Sequence, residues 1–215
     1  MSEHDFEPIR GLPGNLPAGE RLLWQGAPDW WALAQRAFHL RSVAIYFAIL
    51  IVWRGVSAAQ QGASAEGAVQ AALWLIPVAL LALGLLAGLA ALAARTSVYT
   101  ITTKRVVLRV GMALPKAINI PFTIIENAAL RAYSDKTGDV ALTLTPPNKI
   151  AYLLLWPHAR PIKLARPEPT LRAVANGAEV AAILASALQA AQASREATPV
   201  TEPSAAAPQG ALAPA

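Results

Sequence analysis

From Gly67 to Ala94 the chain runs for 28 residues without a charged side chain. A helix rises 1.5 Å per residue and about 20 residues cross the hydrocarbon of a bilayer, so this run predicts a transmembrane helix. Pro77 follows Trp74 by less than a turn, and a kink is expected there, because helices in lipid re-satisfy the freed carbonyl locally. Gly84 and Gly88 have the small-xxx-small spacing that lets a second helix approach closely. With 47 alanines among 215 residues, lipid-facing filler is the plainer reading of the same two glycines.

An earlier apolar stretch, Ser42 to Trp53, is too short to cross alone and lies between Arg41 and Arg54. Extended to Phe38 through Ala59 it becomes long enough. Arg54 then lies about 24 Å from the helix start, near the far interface, where its guanidinium reaches water. Arg21, Arg36 and Arg41 precede this span, and Arg95, Lys104, Arg105 and Arg109 follow the second. The loop between carries only Arg54 and Glu66, so the positive-inside rule puts both termini in the cytoplasm. The acidic, proline-rich first 20 residues do not read as a cleavable signal peptide.

No cysteine is present, which excludes disulfides, thiolate catalysis and cysteine-held metals. No nucleophile elbow, phosphate loop, zinc-protease or dinucleotide sequence occurs, and no catalytic residue, metal or cofactor is assigned. Asp135 and Asp139 bracket a hairpin tip and read as turn and solubility residues.

After Ala94 the apolar period changes to two. Strands are expected at Val98–Thr102, Arg105–Val110, Lys116–Ile120, Glu126–Tyr133, Val140–Thr145, Lys149–Trp156 and Pro161–Ala165. A closing helix begins near Asn176, whose spacing to Glu179 suggests a capping box, with Val180, Ile183, Leu184, Ala187 and Leu188 as its stripe. The predicted architecture is an α+β membrane protein, a two-helix transmembrane hairpin with a small antiparallel barrel capped by a C-terminal helix. Its divisions are a cytoplasmic amino-terminal segment (1–37), the hairpin (38–95), the barrel domain (96–192) and an Ala/Pro-rich tail (193–215) expected to be disordered.

The run Val98-Tyr99-Thr100-Ile101-Thr102-Thr103-Lys104-Arg105-Val106-Val107-Leu108-Arg109-Val110-Gly111 resembles the opening hairpin of bacterial pleckstrin-homology-like domains attached to membrane spans. Leu16 to Trp30 is similar to the segment that precedes the spans in such proteins. With the acidic start from Glu3 to Pro13, the chain resembles the photosynthetic-complex assembly proteins of purple phototrophic bacteria. The resemblance implies a non-catalytic assembly factor in the inner (intracytoplasmic) membrane, with reaction-centre and core light-harvesting polypeptides as partners. A generic membrane-anchored interaction or lipid-sensing module is the alternative, and a membrane enzyme acting on lipid or pigment is a third reading.

Trp24, Trp30 and Trp31, with Arg36 and His39, lie just before the first span. They read as a headgroup-level belt, or else as anchors for a client helix. His39 invites bacteriochlorophyll ligation, but a lone histidine without a partner on its second nitrogen favours an ordinary interfacial role. From Arg95 to Arg172 twelve basic residues face four acidic ones. Tethered beside an anionic leaflet, this surplus points to lipid headgroups through Arg36, Arg41, Lys104, Arg105 and Arg109, and not to nucleic acid. Self-association is left open.

Overall fold

The computed structural model describes residues 11–12, 14–111, 116–161, 163 and 165–197. The acidic start before Gly11 and the tail after Ala197 lie outside the described residues, and the first residues of the tail expected to be disordered, Ala193 to Glu196, are instead helical.

β-Branched and aromatic residues build the sheets. Strand β1 (Leu22–Gly26) pairs antiparallel with β2 (Val98–Thr102), which pairs with β3 (Arg105–Val110), which pairs with β4 (Lys116–Pro121). At Pro121 the ladder loses a donor, and the chain makes a 3-10 turn, Phe122–Ile124, into a second sheet. That sheet is β5 (Ile125–Ala132), β6 (Gly138–Leu144) and β7 (Thr170–Val174) in antiparallel order. Between β1's continuation and β7 the described residues form a single bridge, Pro28 to Val174, where proline again has no N–H to give. The expected closed barrel is therefore two sheets of four and three strands.

Two of the expected strands are corrected. Lys149–Trp156 holds a short helix, α5 (Tyr152–Leu155), and the described residues of Pro161–Ala165 form no strand. Their places are taken by β7 and by β1, which comes from the amino-terminal segment. The alternation of Ile150, Tyr152, Leu154 and Trp156 misled because only Leu155 in this stretch is fully buried, while Leu153 is 87% exposed.

Tyr99, Ile101, Val106, Leu108, Ile120, Leu142 and Leu171 fill the space between the sheets. The closing helix α6 (Gly177–Glu196) covers this core with Val180, Leu184 and Ala187, and Leu188 packs at its edge; of the expected stripe, Ile183 stays outside the core. The capping box does not form. Asn176 adopts a left-handed conformation, φ 52°, and its side chain makes no cap bond. Gly138 and Gly177 meet where α6 starts; a Cβ on Gly177 would lie 2.5 Å from the Gly138 Cα.

Between β1 and β2 the chain makes α1 (Trp30–Arg36), α2 (Leu40–Gln60), α3 (Ala65–Leu73) and α4 (Ile76–Thr96). The stretches Leu40–Gln60 and Ala65–Thr96 are long and apolar enough to cross a membrane. Pro77 lies in the first turn of α4, where its missing N–H costs nothing, so the long run breaks into two helices at Trp74–Leu75 where a kink was expected. Helix α3 folds back on the end of α2, where a Cβ on Gly55 would meet the Ala72 Cβ at 3.4 Å. Because β1 precedes the helices and β2 follows them, their one sheet ties both ends of the hairpin to the same folded unit.

Candidate functional site

The site is the base of the hairpin, where α1 clamps α4 to the sheets. Asp29 caps α1, accepting from the Ala32 amide at 2.7 Å, and its own amide donates to the Ala173 carbonyl at 2.7 Å. Ala32, Leu33 and Ala34 pack against Ala90, Ala93 and Ala94 of α4 and Ala173 of β7. Small side chains on both helices permit this close approach. Trp30 and Trp31, edge to face at 5.5 Å, are left about half exposed on either side of the contact.

On the Trp31 side, α1, α2 and α4 enclose a groove of about 720 Å³, walled by Leu40, Ala44, Leu83 and Gly84 and edged by Gln35 and Arg41. Trp30 borders a second groove, with Ala27, Ala91 and Arg95. Trp31, Arg41 and Gly84, distant in sequence, are thus brought together. Gly88 is exposed, and a Cβ on either Gly84 or Gly88 would meet nothing within 4 Å, so the hairpin's own packing uses neither.

The remaining expected contacts separate. Trp24 packs on the domain core from β1, its ring over Gly26. Arg109 is in register with Val98, directly after α4, whereas Lys104 and Arg105 lie one strand length, about 13 Å, further along. Arg105 is held by Glu20, with nitrogen-to-oxygen distances of 2.8 and 3.0 Å. Burial alone would raise the Glu20 carboxyl, but hydrogen bonds from Arg105 and Thr102 and the charges of Arg105 and Lys104 bring it below its ordinary value. His39 is exposed, in a left-handed conformation at the joint between α1 and α2, without a side-chain cap bond.

Arg36 latches α1 to the β5–β6 turn. Its guanidinium lies 3.5 Å above the Tyr133 ring centroid, donates to Thr137 and pairs with Asp135 at 2.6 Å. Asp139 is no solubility residue. Nearly buried, it accepts from the Ala173 amide at 2.8 Å and the Tyr133 hydroxyl at 2.9 Å, with Arg172 at 3.7 Å.

Sequence reasoning missed the polar centre beneath this clamp. Ser97 Oγ donates to the Ala93 carbonyl at 2.6 Å and accepts from His158 Nε2 at 2.8 Å. Tyr99 Oη donates to His158 Nδ1 at 2.5 Å and accepts from the Arg172 amide at 3.2 Å. Burial, with the Arg172 charge added, pushes the imidazole down to about 3, so it is neutral and carries its proton on Nε2. A serine beside a histidine suggests an activated nucleophile. Here both are 0–1% exposed and every partner is internal, so the pair acts as a joint between α4, β2 and the loop before β7. Ser97 and His158 lie 61 residues apart, and no motif marks the distance.

The loop after α5 returns to the hairpin's base. Trp156 packs edge to face on Phe38 at 5.4 Å, just before α2 begins, and Leu153, Leu154 and Trp156 are all exposed there.

Against this geometry, the family described as "Bacterial PH domain" matches residues 42–188. The chain belongs to the bacterial PH domain family. The matched range takes in nearly all of both apolar helices and six of the seven strands, and leaves out β1. The chain is also 40% identical over 194 residues to a protein of Rhodobacter capsulatus named "Uncharacterized 23.7 kDa protein in puhA 5'region", covering 88% of this chain and 90% of the relative. No solved structure matches significantly.

Proposed function

We propose that this chain is a non-catalytic membrane assembly factor for the photosynthetic reaction centre and its core light-harvesting antenna. The observation that carries the reading is the pairing of β1 with β2, which roots an uncovered apolar hairpin in a folded domain. Exposed Ile49, Val52, Leu81 and Leu85 coat that hairpin, a surface that water tolerates poorly and lipid accepts. Both helices cross the inner, intracytoplasmic membrane, and both termini lie in the cytoplasm.

The pathway is supported by the resemblance to photosynthetic assembly proteins, together with the relative's printed place in the puhA 5' region. On this reading the outer edge of α4 at Gly88, with the Trp30 groove, receives client helices, and the sheets meet the clients' cytoplasmic ends. No pigment, metal or other cofactor takes part, and His39 serves as an interfacial hinge.

Deleting the gene should lower reaction-centre and core-antenna abundance while their subunit transcripts persist. Unchanged complex levels would remove the photosynthetic assignment and leave a generic membrane-anchored interaction module. Pull-down in mild detergent separates the same two readings by whether reaction-centre or antenna polypeptides co-purify.

A further inference from the structure

We infer that the groove between α1, α2 and α4 is a binding site for one anionic phospholipid, its phosphate at Arg41 and Gln35 and one acyl chain along α4. The inference rests on the membrane reading above and names a partner for this one groove. Three observations converge on it.

The first is the form of the groove. On α4 it is lined by Leu80, Leu83, Gly84 and Ala87, at spacings of three, four and seven that keep them on one helical face. That face spans about 10 Å along the axis, two turns of depth suited to an alkyl chain and shallow for a second helix. Gly84 holds the floor open, since a side chain there would project into free space.

The second is charge. Arg41 is exposed at the mouth, one residue into α2, and makes no ion pair or side-chain hydrogen bond among the described residues. The domain's other basic residues at the clamp are engaged, Arg36 by Asp135 and Arg172 by Asp139. A guanidinium left open above an apolar slot matches an anionic headgroup above its chain.

The third is level. Trp31 stands at the same mouth with its indole half exposed, and amphipathic rings of this kind settle at the headgroup layer. Gln35, one turn further along α1, adds an amide donor beside the phosphate position. The pleckstrin-homology sheets contribute no residue to this site.

Native mass spectrometry of the full chain, taken from nanodiscs holding equal phosphatidylglycerol and phosphatidylcholine, tests the inference. The wild-type chain should retain phosphatidylglycerol in preference to phosphatidylcholine. Arg41→Gln should reduce that preference about fivefold, the worth of one basic residue against an anionic surface, while Arg54→Gln leaves it unchanged. Ala87→Phe, which fills the slot and keeps every charge, should reduce retention of the bound lipid as well. Equal retention of the two lipids by the wild type overturns the site. So does loss in Arg41→Gln with full retention in Ala87→Phe, which marks diffuse surface attraction. Failure of the membrane reading looks different, because the chain would then not enter the nanodisc at all.

Discussion

The imidazole of His158 is gripped from both ends, by Tyr99 at 2.5 Å and Ser97 at 2.8 Å, although these residues belong to one strand and its preceding helix junction. A neutral histidine so placed is a spacer that fixes the angle at which α4 leaves the sheet. Tyr99→Phe keeps the ring but strips a donor from Nδ1 and an acceptor from the Arg172 amide. Each buried group left unpaired costs roughly 1–3 kcal/mol. Thermal unfolding of the full chain in detergent, followed by near-UV circular dichroism, should show a clear fall in Tm; a wild-type Tm would contradict the role of this bond.

Acid should act through the same residue. An unfolded histidine titrates near 6.5, whereas His158 in the fold titrates near 3, so between those values the unfolded chain binds the extra proton. Stability is complete above pH 6.5 and declines on acidification at about 1.4 kcal/mol per unit. Glu168 adds a second loss at lower pH. Burial would raise its carboxyl, but Lys163 and Arg160 hold it below its ordinary value, and that stabilisation disappears as pH falls through the folded value. Unfolding curves from pH 7 to 4.5 should slope for the wild type and flatten for His158→Gln. Equal slopes in both would contradict the assignment.

Much of this was legible in the sequence wherever a local period carries the signal. Val98–Thr102 and Arg105–Val110 show as strands through their short runs of β-branched and aromatic residues, here buried on both faces, and the hairpin shows itself through unbroken apolar length. What stayed hidden is long-range. Leu22–Gly26 has no strong period, and becomes a strand because β2 offers it an edge. Leu154 and Trp156 mimic a strand, yet the chain turns there and leaves them exposed. Among candidate site residues, Trp31, Arg41 and Gly84 converge, while His158 and Asp139 gain their roles from partners that spacing cannot reveal.

Two glycines on the same chain should answer alanine in opposite ways. At Gly177 a Cβ would press on the Gly138 backbone, which cannot rotate away, and α6 must lift from β5 and β6. Gly177→Ala should cost about 3 kcal/mol, the upper range for overpacking. Gly88→Ala points into open space and should leave stability unchanged or slightly raised. Parallel denaturation of the two variants checks this, and equal loss in both would contradict the close approach of α6.

Exposed apolar residues on α5 should sit in the headgroup layer, because Trp156 ties them to Phe38 at the start of α2. Since the chain has no cysteine, a polarity-sensitive dye can be placed by Leu153→Cys, with the exposed Thr123→Cys as a control beside Lys104. In nanodiscs the dye at 153 should emit further to the blue and be quenched by lipid-borne quenchers. Identical emission at both positions would place α5 away from the bilayer.

Cysteine mapping also decides the central claim, that the paired helices cross the membrane and leave both flanking segments together on its inner side. Asn15→Cys, Ala63→Cys and Lys136→Cys place single thiols before, between and after the helices, all at exposed positions. In spheroplasts, an impermeant maleimide should label Ala63→Cys alone, with the other two reacting only after permeabilisation. Labelling of Asn15→Cys and Lys136→Cys from opposite sides, or protection of all three, would contradict the account.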